Sequence, residues 1–367
     1  METIQKILVG FGKMGWSIYW GLAFGFILSA FIRAFISTET ISSKLGKNNL
    51  KSLGMATLFG GISSSCSYAA ASMSRTLIIK GASWSNAVAF LIASTNLVFE
   101  IFIVILSLLG AAFVAGEIVG GFIFIIIAAL LIIFFFPKKI KEEANEHVKD
   151  EEKESKRQNG HSSSSEKKSF LDKLKIASGH FYMDVTMVGK DILIGVAIAA
   201  ILSVVVPKEF WTKIFLTDNH ELPRIIILLW NSVLGIIVAI LSFVCSVGNV
   251  VLAAVLWHGG ISFGGVFAFI LSDLVTLPML LVYRKYYGNK AMITLFIILT
   301  ISILATALLV DFSFELLNWI PKSPQGAVTD QAVFVWDYRT ILNIILIPAG
   351  IGFFVLGRKQ MKNMKIQ

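Results

Sequence analysis

An all-α, polytopic membrane protein built from two repeated halves is the fold class this sequence predicts, and three observations carry it. Composition is the first: 56% of the 367 residues are hydrophobic and 15% are charged, with a mean hydropathy of +0.78. That is more apolar surface than one soluble core can bury. The second is a series of apolar stretches of about 20 residues, the length that crosses a hydrocarbon core. The third is a passage written twice. Residues 66–90 and 245–269 align without a gap and share seven identities: Cys66/Cys245, Ser67/Ser246, Leu77/Leu256, Gly81/Gly260, Ser83/Ser262, Ala89/Ala268 and Phe90/Phe269.

Full spans are predicted at 16–36, 84–109, 112–136, 186–206, 264–283, 291–310 and 340–357. The first has no small-residue cleavage site behind it and is expected to stay in the mature protein. Two more stretches, 53–79 and 225–257, hold the cysteine passages and are broken by small or polar residues: Gly60, Gly61, Ser63, Ser64 and Ser65 in one, Ser242, Ser246, Gly248 and Asn249 in the other. Each reads as one span or as a re-entrant hairpin, giving nine to eleven hydrophobic helices in all. Irregular backbone at such depth survives only when buried in protein or lining a watery cavity.

Loop charges favour the hairpins. Lys44, Lys47, Lys51, Arg75, Lys80, Arg284, Lys285, Lys290 and the tail residues Arg358, Lys359, Lys362 and Lys365 form basic loops, whereas 208–223 is near neutral and 311–339 carries Asp311, Glu315, Asp330 and Asp337 against Lys322 and Arg339. With both cysteine stretches as hairpins, all the basic loops fall on the cytoplasmic side. The two hairpins then enter from opposite faces, so the repeats are inverted, an architecture that supports alternating access.

The domains that follow are 1–137, a first transmembrane repeat; 138–183, a charged, flexible cytoplasmic linker; 184–310, a second repeat; 311–339, an extracytoplasmic loop; and 340–367, a last span with a basic cytoplasmic tail. The net charge of +9 spreads over the cytoplasmic loops and tail, where it reads as an orientation and anionic-lipid signal. The lipid bilayer of the plasma membrane is therefore the expected partner, and nucleic acid is not. Oligomeric state is not specified. Two cysteines without a C-x-x-C pair give no zinc or thioredoxin-like site. No metal or other cofactor is expected, and the absence of a G-x-x-x-x-G-K-[ST] string removes ATP hydrolysis by this chain.

Polar groups inside the apolar segments are the candidates for chemistry. Ser63, Ser64, Ser65, Cys66, Ser67 and Tyr68 crowd hydroxyls and a thiol into the first repeat; close packing by small residues is the competing use of such a string. Cys66 and Cys245 hold equivalent positions, and paired thiols at a pseudo-twofold axis would suit a thiophilic solute, although a buried cysteine also serves as a small hydrophobe. Ser64, Ser65, Ser67, Ser246, Asn249 and Asn96 complete the expected substrate site. Ionisable groups within spans mark ion or proton pathways, which makes Asp273 and Glu100 the expected proton-coupling residues. Glu117 and the pair Lys190/Asp191 read as structural, near an interface, and His258 as a solvated residue at a hairpin exit.

A Gly-rich segment ending in Cys66-Ser67, followed by Gly81, Ser83, Ala87, Ala89, Phe90, Leu91, Ala93, Ser94, Thr95 and Asn96 in the pattern G-x-S-x-x-x-A-x-A-F-L-x-A-S-T-N, resembles the predicted permeases related to the ArsP organoarsenical efflux permeases. The resemblance covers both hydrophobic halves and implies a multi-pass permease that exports a small thiophilic solute, such as an organoarsenical or another metalloid. Family members carry Cys-Ser-Cys-Gly where this chain has Cys66, Ser67, Tyr68 and Ala69. The expected function is a proton-coupled secondary transporter, not an enzyme. Two alternatives are an intramembrane enzyme with a cysteine nucleophile, which needs a base within hydrogen-bond reach, and a membrane scaffold acting through its linker.

Overall fold

In a computed structural model, residues 2–35, 49–63, 67–79, 81–144, 170–205, 208–216, 222–242, 246–321 and 338–364 are described. They form helices and contain no strand. In chain order these are α1 (Glu2–Phe35), α2 (Leu50–Ser63), α3 (Ser67–Ile79), α4 (Trp84–Asn96), α5 (Phe99–Leu108), α6 (Ala111–Phe135), α7 (Phe170–Val205), α8 (Lys208–Phe215), α9 (Arg224–Ser242), α10 (Ser246–Gly259), α11 (Phe263–Leu271), a 3-10 turn (Ser272–Val275), α12 (Leu277–Leu316) and α13 (Tyr338–Met364).

The repeated passage folds the same way twice. Gly81 at φ +92° and Gly260 at φ +98° occupy the left-handed region that glycine adopts without a side-chain penalty. Each closes the end of the helix before it: Gly81 N donates to Ile78 O and Ala82 N to Leu77 O, while Gly260 N donates to Trp257 O and Ile261 N to Leu256 O. This crossed pair satisfies carbonyls that a helix end leaves open. Two residues on, Ser83 Oγ accepts from Asn86 N at the start of α4 and Ser262 Oγ accepts from Gly265 N at the start of α11. Identical turn chemistry therefore yields identical helix-turn-helix units, α3–α4 and α10–α11.

Each cysteine stretch is two helices, α2 and α3 in the first half, α9 and α10 in the second. Small residues bring the leading helix onto the core helix of its half. A Cβ on Gly60 would sit 2.6 Å from Phe90 O, and one on Gly235 2.7 Å from Gly265 O. The stretch 84–109, expected as one span, is bent by 41° between α4 and α5. The stretch 264–283 is likewise interrupted, by the 3-10 turn and the extended Thr276 that precede Pro278. Proline has no N–H with which to continue a helix. Helix α7 begins at Phe170 and α12 runs to Leu316, so both elements reach into stretches that loop composition had marked as linker and loop. Residues 145–169 and 322–337 lie outside the described residues.

Two sets of contacts mark the ends of the bundle. At one, Trp84 packs on Phe136 and Tyr287 with ring centroids 5.1 and 5.0 Å away, and Arg75 lies 5.0 Å above the Tyr286 ring. Here Lys141 Nζ donates to Ile132 O at 3.0 Å, taking up a carbonyl near the end of α6. Burial, and then the neighbouring Lys138, hold its ammonium below the ordinary lysine range. At the other end, Phe113 packs on Trp257 and Phe263 at 5.0 and 4.8 Å. Arg224, at the head of α9, pairs with Asp311 and Glu315, and Asp311 Oδ2 accepts from Gly264 N at 2.8 Å. This carboxylate ties α9, α11 and α12 together. Both ends of the stretch 224–259 consequently lie at this end of the bundle. Replacing Asp311 by alanine removes the acceptor and leaves Gly264 N unpaired where it is buried. A loss of about 1–3 kcal/mol, read as a lower thermal midpoint of the detergent-solubilised protein, is the expected result.

Apolar residues face outward in helical rows: Ile118, Phe122, Ile126, Leu130 and Ile133 on α6, and Ile293, Ile297 and Ile301 on α12 are exposed. The inward side of α6 holds Phe113, Gly116, Glu117, Gly120, Gly121 and Phe124. An apolar exterior around a polar-containing interior is the pattern of a protein solvated by lipid. By length and composition, Ala111–Phe135, Arg224–Leu241, Phe263–Leu316 and Thr340–Gln360 are candidate membrane spans among the described residues, and the bent pair α4/α5 is a fifth.

Candidate functional site

The polar residues of the two halves meet at Asp273. Ser67 and Ser246, the first residues of α3 and α10, are repeat-equivalent, and their hydroxyl oxygens lie 3.0 Å apart. Both donate to Asp273 Oδ2, Ser67 Oγ from 3.2 Å and Ser246 Oγ at shorter range. A hydroxyl has one proton. With both protons aimed at the carboxyl group, the contact between the two serines is oxygen against oxygen, and the carboxylate is the common acceptor that holds them together. The Asn96 side chain and the backbone N–H of Leu274 reach the same carboxyl.

The break that holds Asp273 has a local cause. Ser272 Oγ turns back to Ala268 O at 2.5 Å and Thr276 Oγ1 to Asp273 O at 3.3 Å, hydroxyl-to-carbonyl bonds that compete with regular helix. The first half does the same around α4: Thr95 Oγ1 donates to Leu91 O or Ile92 O, and Asn96 Nδ2 to Ile92 O at 3.3 Å and Thr95 Oγ1 at 3.0 Å. Helix α4 ends there.

Burial opposes a negative charge at this point, and the donors of Ser246, Ser67, Asn96 and the Leu274 N–H offset part of that cost. Several acceptors remain open around it. Asp273 Oδ1, Asn96 Oδ1, both oxygens of Glu117 and the Tyr283 hydroxyl are buried without a hydrogen-bond partner. Glu117 on α6 is fully buried and close enough to feel the charge of Asp273, and so is Tyr283 on α12.

Of the residues expected at the site, Ser67, Ser246, Asn96 and Asp273 are brought together. Asn249, one turn into α10, is fully buried. Glu100 is buried in the first turn of α5, beyond the α4/α5 break. Cys66, Cys245, Ser64 and Ser65 lie outside the described residues, as do the side chains of Lys190 and Asp191. Two expectations are corrected. His258 is buried, its Nδ1 2.7 Å from Ala254 O, because the end of α10 is covered by packed helices instead of solvent. Glu117 is fully buried inside the bundle, where the glycines flanking it on α6 let Phe267 and Leu97 close over that face. Glu117 and Tyr283 were missed as site residues, and the signal that marks Glu117 is its place on the same helix face as Gly120 and Gly121. Among the described residues no group of three or more His, Cys, Asp or Glu side chains is placed to hold a metal ion.

An all-helical body with outward apolar rows and a buried carboxylate shared by two halves defines a membrane protein with a polar centre. Its residues 3–312 match the ArsP_1 family model, described as "Predicted permease", and the chain belongs to that family. It is also 40% identical over 324 residues, 85% of this chain and 78% of the relative, to the Mycobacterium tuberculosis (strain ATCC 25618 / H37Rv) protein named "Putative permease Rv2963". No solved structure matches.

Proposed function

We propose that this permease is a proton-coupled secondary transporter of the plasma membrane, with two inverted halves whose hairpins meet at the Ser67/Ser246/Asp273 centre. The observation that carries the reading is the contact of two repeat-equivalent hydroxyls, 3.0 Å apart, on one carboxyl group. Equivalent atoms of two halves come this close only near a pseudo-twofold axis, which is where inverted-repeat transporters place their sites. Inversion is further supported by the bundle ends. The α3–α4 turn lies with Trp84 and Tyr287, near the basic Arg284, Lys285 and Lys290. The α10–α11 turn lies with Phe113 and the Arg224–Asp311 pair. The basic end is cytoplasmic in this reading, and the chain crosses the bilayer several times.

The solute class is small and thiophilic, an organoarsenical or other metalloid species moved outward. Cys66 and Cys245 immediately precede the two central serines in the sequence, which keeps both thiols in the proposal. Everted membrane vesicles, energised to acidify their interior, test it with a panel of organoarsenicals, metal ions and small sulfur compounds. Accumulation of one panel member, abolished by a protonophore and lowered at least about tenfold in Cys66→Ala or Cys245→Ala, is expected, since removing one of two soft ligands costs on the order of 1.4 kcal/mol or more. Transport insensitive to the protonophore would refute the coupling, and full activity in both cysteine variants would remove the thiols from the site.

A further inference from the structure

We propose that Glu117 and Asp273 form a buried carboxyl pair that binds one proton at the centre of the bundle, Glu117 carrying it as the neutral acid while Asp273 stands ionised beside it. The proposal deepens the reading of this protein as a proton-coupled transporter and rests on it for its role, though not for its chemistry.

The two carboxyl groups have opposite surroundings. Glu117 has 0% exposure, and neither of its oxygens meets a donor. An ionised carboxylate in that setting carries a desolvation penalty of several kcal/mol with nothing to offset it. Asp273 receives two hydroxyl protons, with Asn96 and the Leu274 N–H at the same carboxyl. The cost of a buried charge is partly offset by donors at Asp273 and by none at Glu117. Glu117 and Asp273 feel each other's charge, and two like charges in a medium of low dielectric cannot both be present without large cost, so such pairs titrate together.

Nothing else near them neutralises the pair. The elements packed against α6 are α4, α5, α11 and α12, those against the 3-10 turn are α9, α11 and α12, and α3 and α10 reach Asp273 through Ser67 and Ser246. On α3, Tyr68 is exposed and Arg75 lies over the Tyr286 ring; on α10, His258 Nδ1 lies 2.7 Å from Ala254 O. Helices α4 and α11 carry no ionisable side chain, and α5 carries Glu100. On α9, Arg224 is committed to Asp311 and Glu315 of α12. The remaining charges of α12, on Arg284, Lys285 and Lys290, are exposed, and its tyrosines 283, 286 and 287 are neutral at physiological pH. Among the described residues no Lys or Arg pairs with either central carboxyl. Protonation of Asp273 therefore removes the charge that holds the proton on Glu117. A proton arriving at Asp273 favours release of one from Glu117, and the pair passes protons without ever holding two charges.

Infrared difference spectroscopy of the full-length protein in nanodiscs, titrated over pH, tests the pair without a transport substrate. The expected spectrum shows, at neutral pH, the carbonyl stretch of a protonated carboxyl in apolar surroundings. That band is absent from Glu117→Gln and displaced but retained in Glu117→Asp. In Asp273→Asn its titration midpoint falls by about one pH unit, the effect of removing one nearby like charge. A band unchanged in Glu117→Gln, no such band in the parent, or an unmoved midpoint in Asp273→Asn overturns the pair. Glutamine matches the neutral acid in shape and Glu117 forms no hydrogen bond, so this variant is expected to fold, and Glu117→Asp gives an independent reading of the same band. A protein that shows the band yet fails every vesicle assay loses the transporter reading and keeps the proton pair. One that transports with the band unmoved in Glu117→Gln loses the pair alone.

Discussion

Asp273→Asn is expected to reduce gradient-driven transport in vesicles to the level of empty vesicles while leaving the protein folded. Asparagine keeps the shape of the side chain and an oxygen that accepts from Ser67 and Ser246, the two hydroxyls that converge on Oδ2 in the parent. What it removes is the ability to exchange a proton and the negative charge on which the two hydroxyls converge. Packing and catalysis of transport are thereby separated. Asp273→Ala does not separate them: it leaves the buried Ser67 hydroxyl and the half-buried Ser246 hydroxyl without their acceptor, and a loss of about 1–3 kcal/mol follows. Thermal unfolding of the three proteins side by side checks the contrast, with the asparagine variant near the parent and the alanine variant well below it. Vesicle transport at parental rate by Asp273→Asn would show that this carboxyl is structural and that coupling lies elsewhere.

The same contrast explains how much of the centre could be read from sequence. Ser67 and Ser246 were legible because a duplication places identical residues at equivalent points, and equivalent points near a symmetry axis become neighbours. Asp273 was legible because a carboxyl within an apolar run has to be buried or functional. Glu117 was not. It stands seven residues into an apolar helix, where an acid facing the membrane interface and one facing the core share the same hydropathy. Only the closure of Leu97 and Phe267 over Gly121 and Gly116 turns that face inward. The helix breaks were marked only by polar residues, Ser94, Thr95, Asn96 and Glu100 around Leu97 and Val98, while hydropathy over the whole stretch still reads as one span; α4 ends where the Thr95 and Asn96 side chains bond to their own backbone. Hydropathy reports the environment of a side chain, whereas these breaks are decided by where hydroxyls and amides spend their hydrogen bonds.

Gly60→Leu is expected to have the largest effect on folding of any single substitution in the first half. The Cβ of any residue at this position would lie 2.6 Å from Phe90 O and 2.8 Å from the Ala93 Cβ. Two of its three nearest neighbours belong to the backbone of α4, so no rotamer change can relieve the contact. Helix α2 has to move away from α4, and the movement is not local. Phe90 and Ala93 belong to the helix that ends at Asn96, and Ser63, one turn from Gly60, is the last residue of α2 and stands four residues before Ser67. Separating α2 from α4 therefore pulls on the hydroxyl that meets Ser246 and Asp273. Overpacking a tight helix contact costs on the order of 1–3 kcal/mol, and loss of the buried hydroxyl contact adds about 1 kcal/mol. In the second half, Gly235 meets the Gly265 carbonyl at 2.7 Å and Phe269 N at 3.2 Å, so Gly235→Leu displaces α9 from α11 and strains the same centre from the other side. Thermal midpoints of the two single variants and the double variant measure the link. If the centre couples the halves, the double variant loses less than the sum of the singles, because the contact broken by the first substitution is no longer there for the second to break. Strict additivity would mean that the two halves pack independently and that the serine and aspartate contact contributes nothing to holding them together.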